Sequence, residues 1–196
     1  MLIRKRFKFE HAHIVRGCST RRCSHSIHGH SYKLDLLLEA DTLDHGQMVY
    51  DFGLLKQGPN WLIDAFDHAI SVWAGDDPAY LAAAQQFSER WLILPVSPSA
   101  EQFARVFFVL IDHMLQHTPH RNGEGAVHLN SVIVHETETG YAQCFRADAV
   151  NPAMGLILPA DVQFSPALRA DWPAPQASPA AALLHRLFPA PAQRAA

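Results

Sequence analysis

Several features that define common classes of protein are scarce or absent in this sequence. There are three cysteines, Cys18, Cys23 and Cys144, and an odd number without a dense framework is not typical of a disulfide-stapled secreted domain. No run of residues approaches the about 18 consecutive apolar residues of a membrane span. The stretch "MLIRKRFKFEHAH" lacks the apolar core of a signal peptide. We therefore expect a soluble, cytoplasmic protein with no membrane partner.

Charge is also sparse. Charged residues make up 18% of the 196, and the formal net charge is −3, so the chain has no general attraction for nucleic acid. Apolar residues account for 48%, which is enough for a sizeable core in one domain. The residue in excess is histidine, with 13 copies, and this excess makes metal binding worth examining.

Hydrophobic periodicity predicts an α+β fold. Alternating residues predict five strands, at residues 7–15, 30–40, 47–52, 127–137 and 141–149. Helices are predicted at residues 54–66, 78–91 and 97–117, the last of them capped by Ser99. Short turns between neighbouring strands favour an antiparallel sheet with helices on one face. The Pro- and Ala-rich segment after residue 164 is predicted to be a loose tail or to contain a short docking helix at residues 180–188.

Histidines cluster at the start of the second predicted strand. His28 and His30 are two residues apart, which directs both imidazoles to one face of a strand, and His13 on the first strand can converge with them. Three imidazoles leave a fourth position open, the pattern of a catalytic zinc site. His11 shares a face with His13 and competes for the ligand role. Otherwise His11 and His25 are expected to be solvated or hydrogen-bonded structural residues.

A reactive thiol and a proton-transfer pair are the next candidates. Cys23 follows two arginines, which favour the thiolate form, although Cys18 in the same loop remains a rival. Cys144, on an alternating strand, is expected to be a buried apolar residue. Asp67 and His68 are adjacent, and a carboxylate beside an imidazole can tune its basicity.

An acidic residue ends the fourth predicted strand. A carboxylate in the position of Glu136 can accept two hydrogen bonds from the edge of an amidine-like heterocycle. The alternative for Glu136 taken alone is a charge that faces solvent.

Together these pieces resemble one family. The chain resembles the 6-pyruvoyltetrahydropterin synthases, and within them the bacterial 6-carboxytetrahydropterin synthases, over roughly residues 5–150. Six motifs occur in the order of the family: "FEHAH" at 9–13, Cys23 before "HGHSY" at 28–32, "MVYDFGLLK" at 48–56, "FDHAI" at 66–70, "SPSAEQFA" at 97–104 and "VHET" at 134–137. The carboxy branch usually has three residues between the cysteine and the first histidine and the pyruvoyl branch five, whereas this chain has four.

The resemblance implies a fold, an assembly and a set of site residues. The fold is the tunnelling fold, a four-stranded antiparallel sheet with two helices, whose subunits join into a barrel, commonly a hexamer. It would occupy residues 1–164, followed by a C-terminal extension at residues 165–196 that has no family counterpart. By the same resemblance zinc is held by His13, His28 and His30, Cys23 is the catalytic thiol, Asp67 and His68 are the acid/base pair, and Glu136 anchors the pterin ring.

The implied reaction is the conversion of 7,8-dihydroneopterin triphosphate to 6-carboxy-5,6,7,8-tetrahydropterin, with release of acetaldehyde and triphosphate, in queuosine-type synthesis. Two alternatives stay open. One is elimination of triphosphate alone, which gives the pyruvoyl product. The other is a zinc- and pterin-binding protein without turnover.

Overall fold

The centre of the structure, a computed structural model that describes residues 1–190, is a single mixed sheet of seven strands. The strands are β1 Leu2–His13, β2 His28–Glu39, β3 Ala69–Trp73, β4 Trp91–Leu94, β5 His128–His135, β6 Tyr141–Phe145 and β7 Gln163–Phe164. The helices are α1 Arg21–His25, α2 Phe52–Leu55, α3 Gly58–Asp64, α4 Pro78–Phe87, α5 Ala100–His117, α6 Arg146–Ala149, α7 Pro166–Ala170 and α8 Pro179–Leu187. Short 3₁₀ turns lie at Pro152–Met154, Pro159–Asp161 and Pro175–Ala177.

The sheet has seven strands rather than the four expected. The order is β6-β5-β2-β1-β3-β4-β7, and its first four strands form the expected antiparallel unit. Strand β3 pairs in parallel with the end of β1, and β4 pairs in parallel with β3. Strand β7 pairs antiparallel with β4 and forms the edge of the sheet. The strands β3 and β4 are short apolar runs without alternation, a pattern that periodicity alone cannot separate from a buried helix.

The prediction of a strand at residues 47–52 is wrong. This segment is a loop, in which Asp44 Oδ1 accepts from the Met48 N–H at 2.8 Å, and it leads into α2. Asp51 caps α2, because its side chain accepts from the Gly53 N–H at 2.7 Å. Hydrogen bonds from side chains to nearby backbone groups compete with strand pairing, and in this segment they replace it. The helix predicted at residues 54–66 is divided into α2 and α3, with Pro59 in the first turn of α3.

Helix α5 covers the face of the sheet that carries the large apolar residues. Ser99 caps it as predicted and accepts from the Gln102 N–H. Phe103 and Phe107 on its buried stripe pack against Tyr32 and Phe9, with ring centroids 5.5 Å apart in both pairs. A buried aromatic layer therefore lies directly beneath the ends of β1 and β2.

A smaller apolar cluster lies on the opposite face of the added strands. There α4 packs against Ile70, Val72 and Ile93, next to Ala12 of β1. The segment between β3 and β4 thus forms a second layer beside the antiparallel unit. The α+β class is confirmed. The layer formed by β3, α4 and β4 is additional to the four-stranded sheet and helices that were expected.

The segment after residue 164 docks on the main core. Leu168, Trp172, Leu184 and Phe188 are all buried among the residues that pack around α5. Of the two alternatives from the sequence, the docking helix is therefore correct, because α8 buries its apolar face. Residues 191–196 of the predicted extension lie outside the described residues. Within residues 1–190, no helix has the length and hydropathy to cross a bilayer.

Candidate active site

The three predicted metal ligands meet at the joined ends of β1 and β2. His13 pairs directly with His28 in the antiparallel register, and His30 follows two residues later on the same face. The ring centroids are 4.5 to 5.3 Å apart, and one nitrogen from each ring lies within 4.8 Å of the others. The strand register therefore brings three imidazoles to one point, as the sequence predicted.

Two of these rings are held in the tautomer that a metal requires. His13 Nδ1 donates to the Pro98 carbonyl at 2.6 Å, and His28 Nδ1 donates to the Ser26 carbonyl at 3.0 Å. A metal-binding histidine commonly donates its second ring N–H to such a carbonyl. Burial lowers the pKa of His13, which keeps the ring neutral. Nε2 of each ring then carries the lone pair that a metal ion would bind, so the donor set fits zinc.

His11 is not part of this cluster. Its Nδ1 donates to the Phe66 carbonyl at 2.6 Å, and its Nε2 accepts from the Ser71 hydroxyl at 2.8 Å. Burial lowers its pKa to about 3, so the ring stays neutral, with both nitrogens occupied. Of the two roles predicted for His11, the hydrogen-bonded structural one is therefore correct.

Cys23 lies in the same cavity as the histidines. This cavity of about 640 Å³ is lined by residues that include Cys18, Arg22, Cys23, His28, His30 and Glu136. Cys23 is half-buried on α1, and Cys18 donates its S–H to the Thr20 carbonyl at 3.3 Å. Cys144 is buried on β6, and burial raises its pKa to about 12. Two of the three cysteines thus face the cavity.

Glu136 lies beside the imidazoles. Its Oε1 is 3.7 Å from Nε2 of His13 and 3.7 Å from Nε2 of His30, and it accepts from the Tyr32 hydroxyl at 3.3 Å. Burial raises the pKa of Tyr32, so the hydroxyl keeps its proton and can donate. The side chain of Glu136 is only 32% exposed, and this carboxylate therefore belongs to the cavity.

Asp67 and His68 form a pair on a separate surface. His68 Nδ1 donates to Asp67 Oδ2 at 2.7 Å, and Asp67 Oδ1 accepts from the Glu10 N–H at 2.7 Å. Burial alone would raise the pKa of Asp67, but these hydrogen bonds outweigh it and hold the pKa below its usual value. His68 has a positive φ of 51°, fixed by its N–H, which donates to the Glu10 carbonyl at 2.7 Å.

The imidazole of His68 is 74% exposed. It lines a second cavity of about 490 Å³ that also contains Glu10, His30 and Ser31 but not Cys23. Within one chain, His68 therefore does not line the cavity of the thiol.

Tyr32 and the Pro98 carbonyl are the site groups that the sequence reasoning missed. Tyr32 continues the two-residue period of His28 and His30, so alternation could have placed it on the site face. Nothing in the local sequence indicates that a backbone carbonyl before α5 reaches a residue 85 positions away.

Known proteins that resemble this chain fall in one family. A model of the family described as 6-pyruvoyl tetrahydropterin synthase matches residues 2–147. A 6-carboxy-5,6,7,8-tetrahydropterin synthase from Helicobacter pylori (strain J99) is 36% identical over 173 residues, which cover 88% of this chain and 86% of the relative. A protein of the same name from Aquifex aeolicus is 30% identical over 159 residues, covering 72% and 95% of the two chains.

Solved structures support the fold. An uncharacterized protein from Wolinella succinogenes has a TM-score of 0.54 at 21% identity and covers 74% of this chain and 98% of its own. The 6-pyruvoyl tetrahydropterin synthase of Caenorhabditis elegans has a TM-score of 0.51 at 18% identity, covering 74% and 94%. At these identities the likeness shows the tunnelling fold alone. With the matching family model and the relative at 36% identity, it follows that the chain belongs to the 6-pyruvoyl tetrahydropterin synthase family.

Proposed function

We propose that this protein is a zinc-dependent lyase that converts 7,8-dihydroneopterin triphosphate and one water molecule to 6-carboxy-5,6,7,8-tetrahydropterin, acetaldehyde and triphosphate. The observation that carries the proposal is a single cavity that holds Cys23, His28, His30 and Glu136 together. The names of the relatives from Helicobacter pylori and Aquifex aeolicus favour the carboxy product.

His13, His28 and His30 would hold the zinc ion. The hydrogen bonds from Nδ1 of His13 and His28 support this assignment, because they direct Nε2 toward the cluster. When bound, the ion supplies a Lewis acid that makes the hydroxyls of the substrate side chain more acidic.

Glu136 and Cys23 would act on the two parts of the substrate. The carboxylate of Glu136 accepts two hydrogen bonds from the pterin edge and so fixes the ring. The thiolate of Cys23 removes a proton from the side-chain carbon next to the ring. Arg22 lines the same cavity, where its guanidinium can pair with the triphosphate.

Asp67 and His68 would return or relay the proton in the site of a neighbouring subunit. The basis is the exposure of His68 and its position in a cavity without Cys23. This role requires a homo-oligomer, for which the family resemblance indicates a hexamer. Asp67 accepts from Nδ1 and thereby orients the ring, so Nε2 of His68 faces outward as the group that exchanges the proton.

The test is incubation of the purified protein with 7,8-dihydroneopterin triphosphate, with and without a chelator. We expect acetaldehyde and a product with the mass of 6-carboxy-5,6,7,8-tetrahydropterin, both lost after chelation. A product that keeps the whole side chain would establish the pyruvoyl reaction instead. Tight pterin binding with metal present and no product would establish a binding protein.

The role of Glu136 is tested by Glu136→Gln. We expect a decrease in kcat/KM of about 100-fold, because the amide cannot accept both hydrogen bonds from the pterin edge as the half-buried carboxylate does. The matched control is Glu138→Gln, two residues along the same turn, where the carboxylate is exposed and pairs with Lys33. Zinc content should stay unchanged in both variants, and equal losses in both would exclude a specific role for Glu136.

A further inference from the structure

The short helix that carries Cys23 is tied to the added layer of the fold by one arginine. Arg16 Nε donates to both carboxylate oxygens of Asp76, at 3.2 and 3.1 Å. Nη1 of the same guanidinium donates to the Ser24 carbonyl at 3.2 Å. Arg16 therefore links the residue after Cys23 to the turn that follows β3.

Helix α1 has little stability of its own. It has five residues, and the side chain of Thr20 at its N-terminus makes no capping hydrogen bond. A helix this short does not pass the nucleation cost unaided. Its other hydrogen bonds are local. The Val15 N–H donates to the Cys23 carbonyl at 2.9 Å and the Ser24 N–H to the Thr20 carbonyl at 3.1 Å, and the Ser24 hydroxyl bonds to the Thr20 carbonyl and to His25 Nδ1.

The other end of the link is fixed more firmly. The side chain of Asp76 is only 6% exposed, its Oδ1 also accepts from the Asp77 N–H at 2.7 Å, and its own N–H donates to the Trp73 carbonyl at the end of β3. The ring of Tyr80 on α4 lies 5.0 Å from the Arg16 guanidinium carbon, a distance typical of a cation–π contact. Asp76 and Tyr80 together hold the guanidinium in one place.

We propose that Arg16 and Asp76 are positioning residues that set the place of Cys23 in the cavity. This inference rests on the proposed function, in which Cys23 is the catalytic thiol. In this inference, the layer of β3, α4 and β4 holds the short helix α1, which carries the thiol. An error of about 1 Å in the position of a reacting group is enough to reduce a rate strongly.

The experiment follows the alkylation of Cys23 by iodoacetamide as a function of pH, with turnover measured in parallel. Trypsin cleaves after Arg21, Arg22 and Lys33, so Cys18 and Cys23 fall in different peptides and are quantified separately by mass. The variants are Arg16→Ala, Asp76→Ala and the conservative Arg16→Lys. Because a positioning role frees the helix in either alanine variant, we expect the limiting alkylation rate of Cys23 at high pH to rise about threefold in both. We also expect kcat to fall about tenfold in both with KM nearly unchanged, and Arg16→Lys to recover part of kcat.

The two alanine variants separate positioning from a charge effect. If the two residues acted on Cys23 through their charges, the pH profile of its alkylation would move in opposite directions in the two variants. Removing Arg16 disfavours the thiolate, and removing Asp76 favours it. Opposite shifts in the alkylation pH profile would overturn the inference, and so would wild-type profiles in both variants.

A matched control is Asp112→Ala on α5. Like Asp76, Asp112 accepts from an arginine, Arg146 of α6, whose guanidinium also lies over an aromatic ring, that of Phe108. This variant should lower the thermal midpoint by a similar amount and leave Cys23 reactivity unchanged. An equal change in Cys23 reactivity would reduce the inference to general stability.

Failure of the proposed function is distinguishable. If Cys23→Ala turns over substrate at the wild-type rate, Cys23 is not the catalytic thiol, whatever the alkylation profiles show. If Cys23→Ala is inactive but Arg16→Ala and Asp76→Ala behave as wild type, only the positioning inference fails.

Discussion

His13 and His28 stand opposite each other across β1 and β2, with their rings 4.5 Å apart, and each donates Nδ1–H to a backbone carbonyl outside the two strands. The pairing depends on strand register. A slip of one residue would move one histidine to the other face of the sheet. The apolar residues beneath, such as Phe9 and Tyr32, fix the register because they must face α5.

The proposed zinc site should depend on each of its three imidazoles. We expect His28→Ala to reduce bound zinc from one ion per chain to near zero, because two neutral imidazoles do not hold zinc tightly. The measurement is elemental analysis of the purified protein together with the thermal midpoint with and without chelator. The control is His25→Ala, since His25 is an exposed histidine at the end of α1, three residues before His28, and its loss should leave the zinc content unchanged. Full zinc occupancy in His28→Ala would contradict the assignment.

The proposed sharing of the active site between subunits predicts complementation between two inactive variants. We expect Cys23→Ala and His68→Ala to be inactive alone and to regain activity when unfolded together and refolded as mixed oligomers. In a random mixture about one site in four receives both intact residues, so recovery should approach about a quarter of the wild-type activity. No recovery in oligomers of confirmed mixed composition would place both residues in the site of one chain.

The contribution of Asp35 to the free energy of unfolding should be lost at acidic pH. Arg6 donates to both oxygens of this buried carboxylate at 2.7 Å, and His135 Nε2 lies 3.1 Å away. Burial works against ionisation, but these partners outweigh it and lower the pKa of Asp35 below its ordinary 3.8. The stabilisation is therefore complete above pH 3.8 and is lost as the pH falls through the lowered pKa.

Asp35→Asn should reduce the free energy of unfolding by about 1 to 3 kcal/mol at pH 7, the typical cost of breaking a buried charged hydrogen bond. The difference from wild type should narrow below pH 4, which urea unfolding at several pH values can measure. Asp41→Asn, at an exposed position, should have no such pH-dependent effect. A difference that is constant from pH 7 to pH 3 would contradict the assignment.

The C-terminal segment should contribute to the stability of the whole chain. Leu184 on α8 is fully buried in the main core, so Leu184→Ala should lower the free energy of unfolding by about 2 to 5 kcal/mol. The matched control is Leu156→Ala, at a leucine that is 63% exposed, for which we expect a change of less than about 0.5 kcal/mol. Two cooperative transitions in urea unfolding of the wild type would instead show that α8 folds independently of the sheet.

The sequence by itself determined the local parts of this protein. The two-residue period placed His28 and His30 on one face, and the alternation of β5 and β6 predicted their hairpin. Ser99 was identified as a helix cap from the sequence, because capping depends on a few neighbouring residues. These features follow from backbone geometry over short stretches.

Only the tertiary structure decided which partners these residues have. His11 and His13 are equivalent in pattern, yet both ring nitrogens of His11 are occupied, by the Phe66 carbonyl and by Ser71 of the added strand β3. The ring of His13 instead lies beside those of His28 and His30. The tie from Arg16 to Asp76 spans 60 residues, and the position of His68 in a separate cavity depends on the pairing of β3 with β1. Such contacts depend on strand order and packing between distant segments, which short-range periodicity does not contain.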